Sequence, residues 1–187
     1  MSAKNTNSHL RVRMLCEGAM MVALAQVLSY IKLMELPNGG SLTPAMFPII
    51  LFAVRWGLTP GLMAGFTFGL LQLIFDGAYA WGWQSMLLDY LVAFMALGTA
   101  EFFARPFKNR MVSVAVGTAI AGFLRFMCSF LSGVLVWGNL NEGLSAWTYS
   151  LVYNASYMLP ETLITVVGAV LLIKAAPQIF DRQYTKA

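Results

Sequence analysis

"MVSVAVGTAIAGFLRFMCSFLSGVLVW", residues 111–137, holds one charged side chain, Arg125, near its middle. A bilayer's hydrocarbon core takes about 20 predominantly apolar residues in helix, and this run exceeds that. Comparable runs lie on both sides of it. Candidate spans fall at about 12–31, 43–55, 58–75, 84–104, 111–137 and 147–175. Composition agrees: 59% of the 187 residues are hydrophobic and 11% are charged, against about 25% charged in a soluble domain. We expect an all-α integral membrane protein of six transmembrane helices, residues 1–187 forming a single membrane domain in the cell membrane.

The ends and joints refine this. Residues 4–13 are basic, an apolar run follows, and Ala23-Leu24-Ala25 resembles a signal-peptide cleavage site. Glu17 interrupts the would-be apolar core, and the run continues to Ile31, so retention as a membrane helix is expected. Span 43–55 is short and carries Pro44 and Pro48, which points to a kinked or partial helix. Between it and the first span lies "KLMELPNGGSLTP", 32–44, whose Pro-Asn-Gly-Gly marks a loop. Pro160 removes one backbone hydrogen bond and should bend the last helix.

Lys and Arg orient the bundle. With the N-terminus inside, Lys4, Arg11, Arg13, Arg55, Arg105, Lys108, Arg110, Lys174, Arg182 and Lys186 lie in cytoplasmic segments, Lys32 lies outside and Arg125 lies in a span. Both termini are then expected to be cytoplasmic. The formal charge of +4 follows from topology, so no nucleic-acid partner is needed.

Four of the five tryptophans and half of the eight acidic residues then gather at the outer side. Trp81, Trp83, Trp137 and Trp147 lie there, Trp56 opposite; Glu35, Asp76 and Glu142 fall in outer loops. Asp89 sits about five residues into the fourth span, roughly 8 Å deep. The tryptophans could be an interfacial belt, and Asp89 could hydrogen-bond a neighbouring helix. The alternative is a pocket for a flat organic cation, with rings supplying cation–π contact of about 0.5–2 kcal/mol each.

Ionisable groups within spans are costly and usually paired or functional. Arg125 and Glu161 count to the same mid-membrane depth, so a structural ion pair is expected. Glu17 lies near the end of the first span, where it can pair with Arg13; it receives no functional role. Gly57, Gly61, Gly65 and Gly69 recur every four residues and suit close internal packing, as in small-xxx-small helices. Ala19 and Ala23 are either internal packing or a docking seam for another membrane subunit.

Catalytic chemistry is sparse. No GxxxxGK[ST] phosphate loop occurs, and the single histidine, His9, lies in the N-terminal tail. Cys16 and Cys128 make no metal or redox spacing. No enzyme, metal site or cofactor is expected.

Several strings taken together resemble a known family. "LPNGGSLTPAMFPI" (36–49), "RWGLTPGLMAGFTFGLLQ" (55–72), "LLDYLVAFMALG" (87–98) and "WTYSLVYN" (147–154) resemble the thiamine-specific S-component of energy-coupling factor transporters, the ThiT/YuaJ family. The likeness runs from about Arg13 to Val170. It implies a six-helix protein that captures thiamine outside and delivers it through one coupling membrane subunit and two ATP-binding subunits. It implies ligand-binding roles for Asp89, Tyr90, Trp137, Tyr149, Asn154 and Tyr79, with Ser129 where some members have histidine. Phe68 stands where some members have tryptophan, and Asp89 where some have glutamate. Ala19 and Ala23 match the family's docking pair, and "ELPNGGS" would form a lid. An S-component for another vitamin or thiamine precursor, or a non-transport membrane scaffold, are the alternatives.

Overall fold

The structure is a computed structural model describing residues 2–37, 39–76, 82–136 and 145–183, with side chains from residue 8 onward. Six helical segments dominate: α1 Ser2–Ser29, α2 Met46–Trp56, α3 Leu58–Asp76, α4 Gly82–Ala104, α5 Arg110–Val136 and α6 Ala146–Ala175. Five are long and apolar enough to cross a membrane, α1 through its portion Ser8–Ser29. α2 is not: its 11 residues span roughly 16 Å.

That shortest helix is the most buried. Met46, Pro48, Ile49 to Val54 and Trp56 are all enclosed, because α2 is apolar on every face and packs against α1, α3, α4 and α6. A helix starting after Pro44 leaves part of its membrane layer to other chain. A small antiparallel hairpin, β1 Met34–Glu35 and β2 Ser41–Leu42, precedes α2 there, where the sequence suggests only a loop. Gly39 turns it, at φ 88°.

The glycine stripe divides into two jobs. Gly57 has φ 95° and ends α2, its N–H bonding Ala53 O. The other three let α3 approach its neighbours. A Cβ on Gly61 would meet Ala53 and the Gly98 carbonyl; on Gly65 it would meet the Phe94 carbonyl, and on Gly69 the Tyr90 carbonyl.

The start of α1 and the segment after α6 share one end of the bundle, and arginines strap that segment there. Pro177–Phe180 forms a short 3-10 turn. Arg55 donates to the carbonyls of Gln178 (3.2 Å) and Ile179 (2.9 Å), and Gln183 N donates to Arg55 O (2.8 Å). Arg110 Nη2 donates to Val54 O and Phe180 O. Glu17 pairs with Arg13 and Arg55, each at 2.9 Å, and accepts from Trp56 Nε1 at 2.6 Å. Glu101, a span residue that depth counting passes over, is fully buried and lies 2.9 Å from Arg182 and 3.7 Å from Arg110.

Candidate functional site

At the opposite end a cavity of about 130 Å³ opens between the hairpin and helices α1 and α3 to α6. Its α4 wall departs from α-helix. Met86–Val92 is a π-helix, a form enriched at functional sites, and it carries Asp89 and Tyr90. Gly69 gives the widened turn room against α3, since a side chain there would meet the Tyr90 carbonyl, and Gly65 does the same for the α-helical turn that follows, at the Phe94 carbonyl.

Asp89 lines the cavity. Its Oδ2 accepts from Ser85 Oγ at 2.7 Å and from Ser132 Oγ at 2.5 Å. Ser129, buried one turn from Ser132, lines the cavity beside Asp89. Hydroxyls hold this carboxylate; among the described residues no base forms an ion pair with it. Tyr90 donates through its hydroxyl to Asp76 O at 3.1 Å, joining the end of α3 to α4. Asp76, expected in a loop, is the last residue of α3 and borders the cavity.

Deeper in, Arg125 Nη1 lies 2.5 Å from Glu161 Oε2, and Thr43 Oγ1 donates to Glu161 Oε1 at 3.3 Å. The guanidinium also sits 4.8 Å from the centre of the Phe94 ring. Both charges are buried, Arg125 being 8% and Glu161 2% exposed, so each offsets the other's desolvation. Phe68 is wholly buried on the cavity wall and meets Phe94 edge-on at 4.9 Å.

α6 supplies a tyrosine ladder. Tyr149, Tyr153 and Tyr157 recur every fourth residue, so they share one face, with neighbouring ring centres 5.8 Å apart. The Tyr153 hydroxyl accepts from Gly40 N at 2.9 Å and ties the hairpin to this face. A Cβ at Gly40 would meet the Tyr153 hydroxyl and the Tyr157 ring. Asn154 is buried behind them. Its Nδ2 donates to Ser150 O (2.9 Å) and Ser129 O (3.3 Å), and its Oδ1 accepts from Tyr157 OH (3.1 Å). That leaves one lone pair of Oδ1 for a ligand.

The residues of the expected site therefore separate. Asp89, Tyr90, Ser129, Tyr149 and Asn154 share the cavity wall. Trp137 and Tyr79 lie outside the described residues. Ala19 and Ala23 are exposed on α1 and do not line the cavity, which α1 reaches only at Ser29.

The model of the thiamine transporter protein family (Thia_YuaJ) matches residues 15–181. The chain is 34% identical to thiamine transporter ThiT of Bacillus subtilis over 177 residues, 88% of this chain and 92% of that protein. It is 32% identical to thiamine transporter ThiT of Lacticaseibacillus paracasei, with 92% of each chain covered. The chain belongs to the thiamine transporter (Thia_YuaJ) family. It is a multi-pass membrane protein of a transport family, not an enzyme. The solved structure of ThiT from Listeria monocytogenes superposes with a TM-score of 0.81 at 27% identity, covering 91% of this chain and 98% of that one. The S component of a bacterial ECF transporter matches at a TM-score of 0.60 and 18% identity, covering 92% and 99%, which is likeness of fold alone.

Within the family frame, several residues of the cavity wall or just behind it escape motif reading. Ser85 and Ser132 grip Asp89, Tyr153 holds the hairpin, and Gln72 faces the cavity from α3. The sequence does carry signals for two of them: Ser85 stands four residues before Asp89, and "YSLVYNASY" repeats tyrosine every four. Gln72 and Ser132 depend on how the helices are set against one another.

Proposed function

We propose that the chain is the substrate-binding membrane subunit of an ECF-type vitamin importer and that it captures thiamine in the cavity beside Asp89. The observation that carries it is the Asp89 carboxylate, held by hydroxyls at a cavity whose buried Arg125 is already paired with Glu161. Arg125 and Glu161 cancel and Lys32 pairs with Glu35, so Asp89, with Asp76 beside it on the lining, leaves the site negative, and a thiazolium ring is a complementary cation. Tyr149, half-buried on the α6 face, offers a ring for stacking. Trp137 and Tyr79 would complete the aromatic wall, and Tyr90, Ser129 and Asn154 its polar lining.

The lysine and arginine bias places both termini in the cytoplasm and the cavity mouth outside. The hairpin, tied to Tyr153 through Gly40 and followed by Thr43, which bonds Glu161, then lies over the site as a gate. ATP hydrolysis falls to partners, since the chain has no phosphate loop: a coupling membrane subunit that meets Ala19 and Ala23 on α1, and two ATP-binding subunits.

Titrating the purified chain with thiamine, its pyrimidine and thiazole precursors and its phosphates, read by intrinsic tryptophan fluorescence, tests this. Saturable quenching that is tightest for thiamine is expected. Tighter binding of a precursor would reassign the ligand, and no saturable change with any of them would favour a scaffold.

A further inference from the structure

The α1–α3 wall of the cavity holds a buried amide cluster whose hydrogen-bond directions are fixed. Ser29 Oγ lies 2.7 Å from the main-chain carbonyl of Gln26. A carbonyl can only accept, so the single Ser29 hydroxyl hydrogen is committed to it. Ser29 Oγ must then accept from Gln72, 3.0 Å away, and only Nε2 of that amide can donate. The same Nε2 lies 2.9 Å from Gln26 Oε1, while Gln26 Nε2 donates to the Tyr30 hydroxyl at 3.1 Å. Both Nε2 hydrogens of Gln72 are spent against α1.

This leaves Gln72 Oε1. The side chain is 7% exposed and lines the cavity, and its carbonyl oxygen has no hydrogen-bond partner among the described residues. The oxygen cannot trade places with the nitrogen, because reversal would set it against the Ser29 lone pair and Gln26 Oε1. An acceptor open only to the cavity must be satisfied by whatever fills it, and a bound ligand that displaces water there without donating leaves it unpaired.

We propose that Gln72 Oε1 is a specificity-determining acceptor that receives an N–H of the bound ligand and so selects an amino-substituted pyrimidine over its oxo counterpart. This rests on the thiamine reading and names a contact within it. An exocyclic amine presents the hydrogen that the open oxygen needs. A ring carbonyl in its place sets oxygen against oxygen. Sites built to pair a polar group discriminate strongly against an analogue that leaves the buried partner unpaired.

The test measures dissociation constants of the full chain in detergent for thiamine and for oxythiamine, in which the exocyclic amine is replaced by a carbonyl. The unaltered chain should prefer thiamine strongly. Gln72→Met, close in volume but without an acceptor, should weaken thiamine by about tenfold while changing oxythiamine by less than about threefold, so the preference narrows. Gln72→Asn keeps an amide against α1 but withdraws the carbonyl by one methylene, and it should narrow the preference too. It serves if the methionine variant does not fold. Equal weakening of both ligands would make Gln72 a packing residue and overturn the proposal, as would an unchanged ratio. If the unaltered chain binds oxythiamine as tightly as thiamine, the contact is refuted while the thiamine reading stands; if it binds neither, both fall.

Discussion

The two ends of the bundle handle buried charge in opposite ways. At the end with the start of α1, each buried or half-buried carboxylate is answered by arginine: Glu17 by Arg13 and Arg55, Glu101 by Arg110 and Arg182. At the cavity end, Arg125 answers Glu161, but Asp89 rests on serine hydroxyls alone among the described residues. The first end is electrostatically complete and fastens the C-terminal strap to α2. At the second, the Asp89 and Asp76 carboxylates have no basic partner among the described residues, and Gln72 Oε1 and the buried Nε of Arg125 are left open; all four residues border the cavity. A protein that closes its own ion pairs in one place and leaves an anion on neutral donors in another marks the second place for a ligand.

The largest effect that would sharpen this contrast is on stability. Glu101→Ala removes a fully buried partner of two arginines and should cost about 3 kcal/mol in unfolding free energy, with thiamine affinity unchanged in the folded protein. A loss below about 0.5 kcal/mol would break the comparison, because the strapped end would not be a structural one. Next comes Gly69→Ala, whose added Cβ meets the Tyr90 carbonyl. Overpacking against backbone should cost about 1–3 kcal/mol, and displacement of the π-helix should weaken binding as well. Stability lost with affinity intact would show that the π-helix geometry does not set the site. Smallest is Tyr153→Phe, which removes the acceptor for Gly40 N. A loss of about 1 kcal/mol should appear as roughly fivefold faster amide exchange at Gly40, and unchanged exchange would mean the hairpin is held elsewhere.

Much of this fold is legible from apolar runs alone, because a bilayer demands length and permits few charges. Counting residues from the span ends also sets Arg125 and Glu161 at one depth, and their side chains meet. The same counting missed Glu101, which lies three residues from the end of span 84–104 and reads as a terminus; its burial comes from the fold-back of Arg182 and the strap. The π-helix at Met86–Val92 was not legible, since no residue pattern separates it from an α-helix. It packs closely on Gly69, where a Cβ would meet the Tyr90 carbonyl. The glycine stripe was legible as packing, but not Gly57, whose positive φ belongs to a helix end. For the site, Asp89 stood out because a carboxylate in an apolar run is costly. Ser85, Ser132 and Gln72 did not, because small hydroxyls and amides gain meaning only once helices are set face to face.

The most direct measurement compares thiamine affinity and ligand-free melting for Asp89→Asn and Glu35→Gln, the latter an exposed carboxylate paired with Lys32 at 2.7 Å. Asp89→Asn should weaken thiamine by about 100-fold while ligand-free stability is unchanged or higher, and Glu35→Gln should change neither. Equal affinities in the two variants, or a ligand-free Asp89→Asn protein that melts far below the parent, would contradict the assignment of Asp89 as the counter-charge kept for a cation.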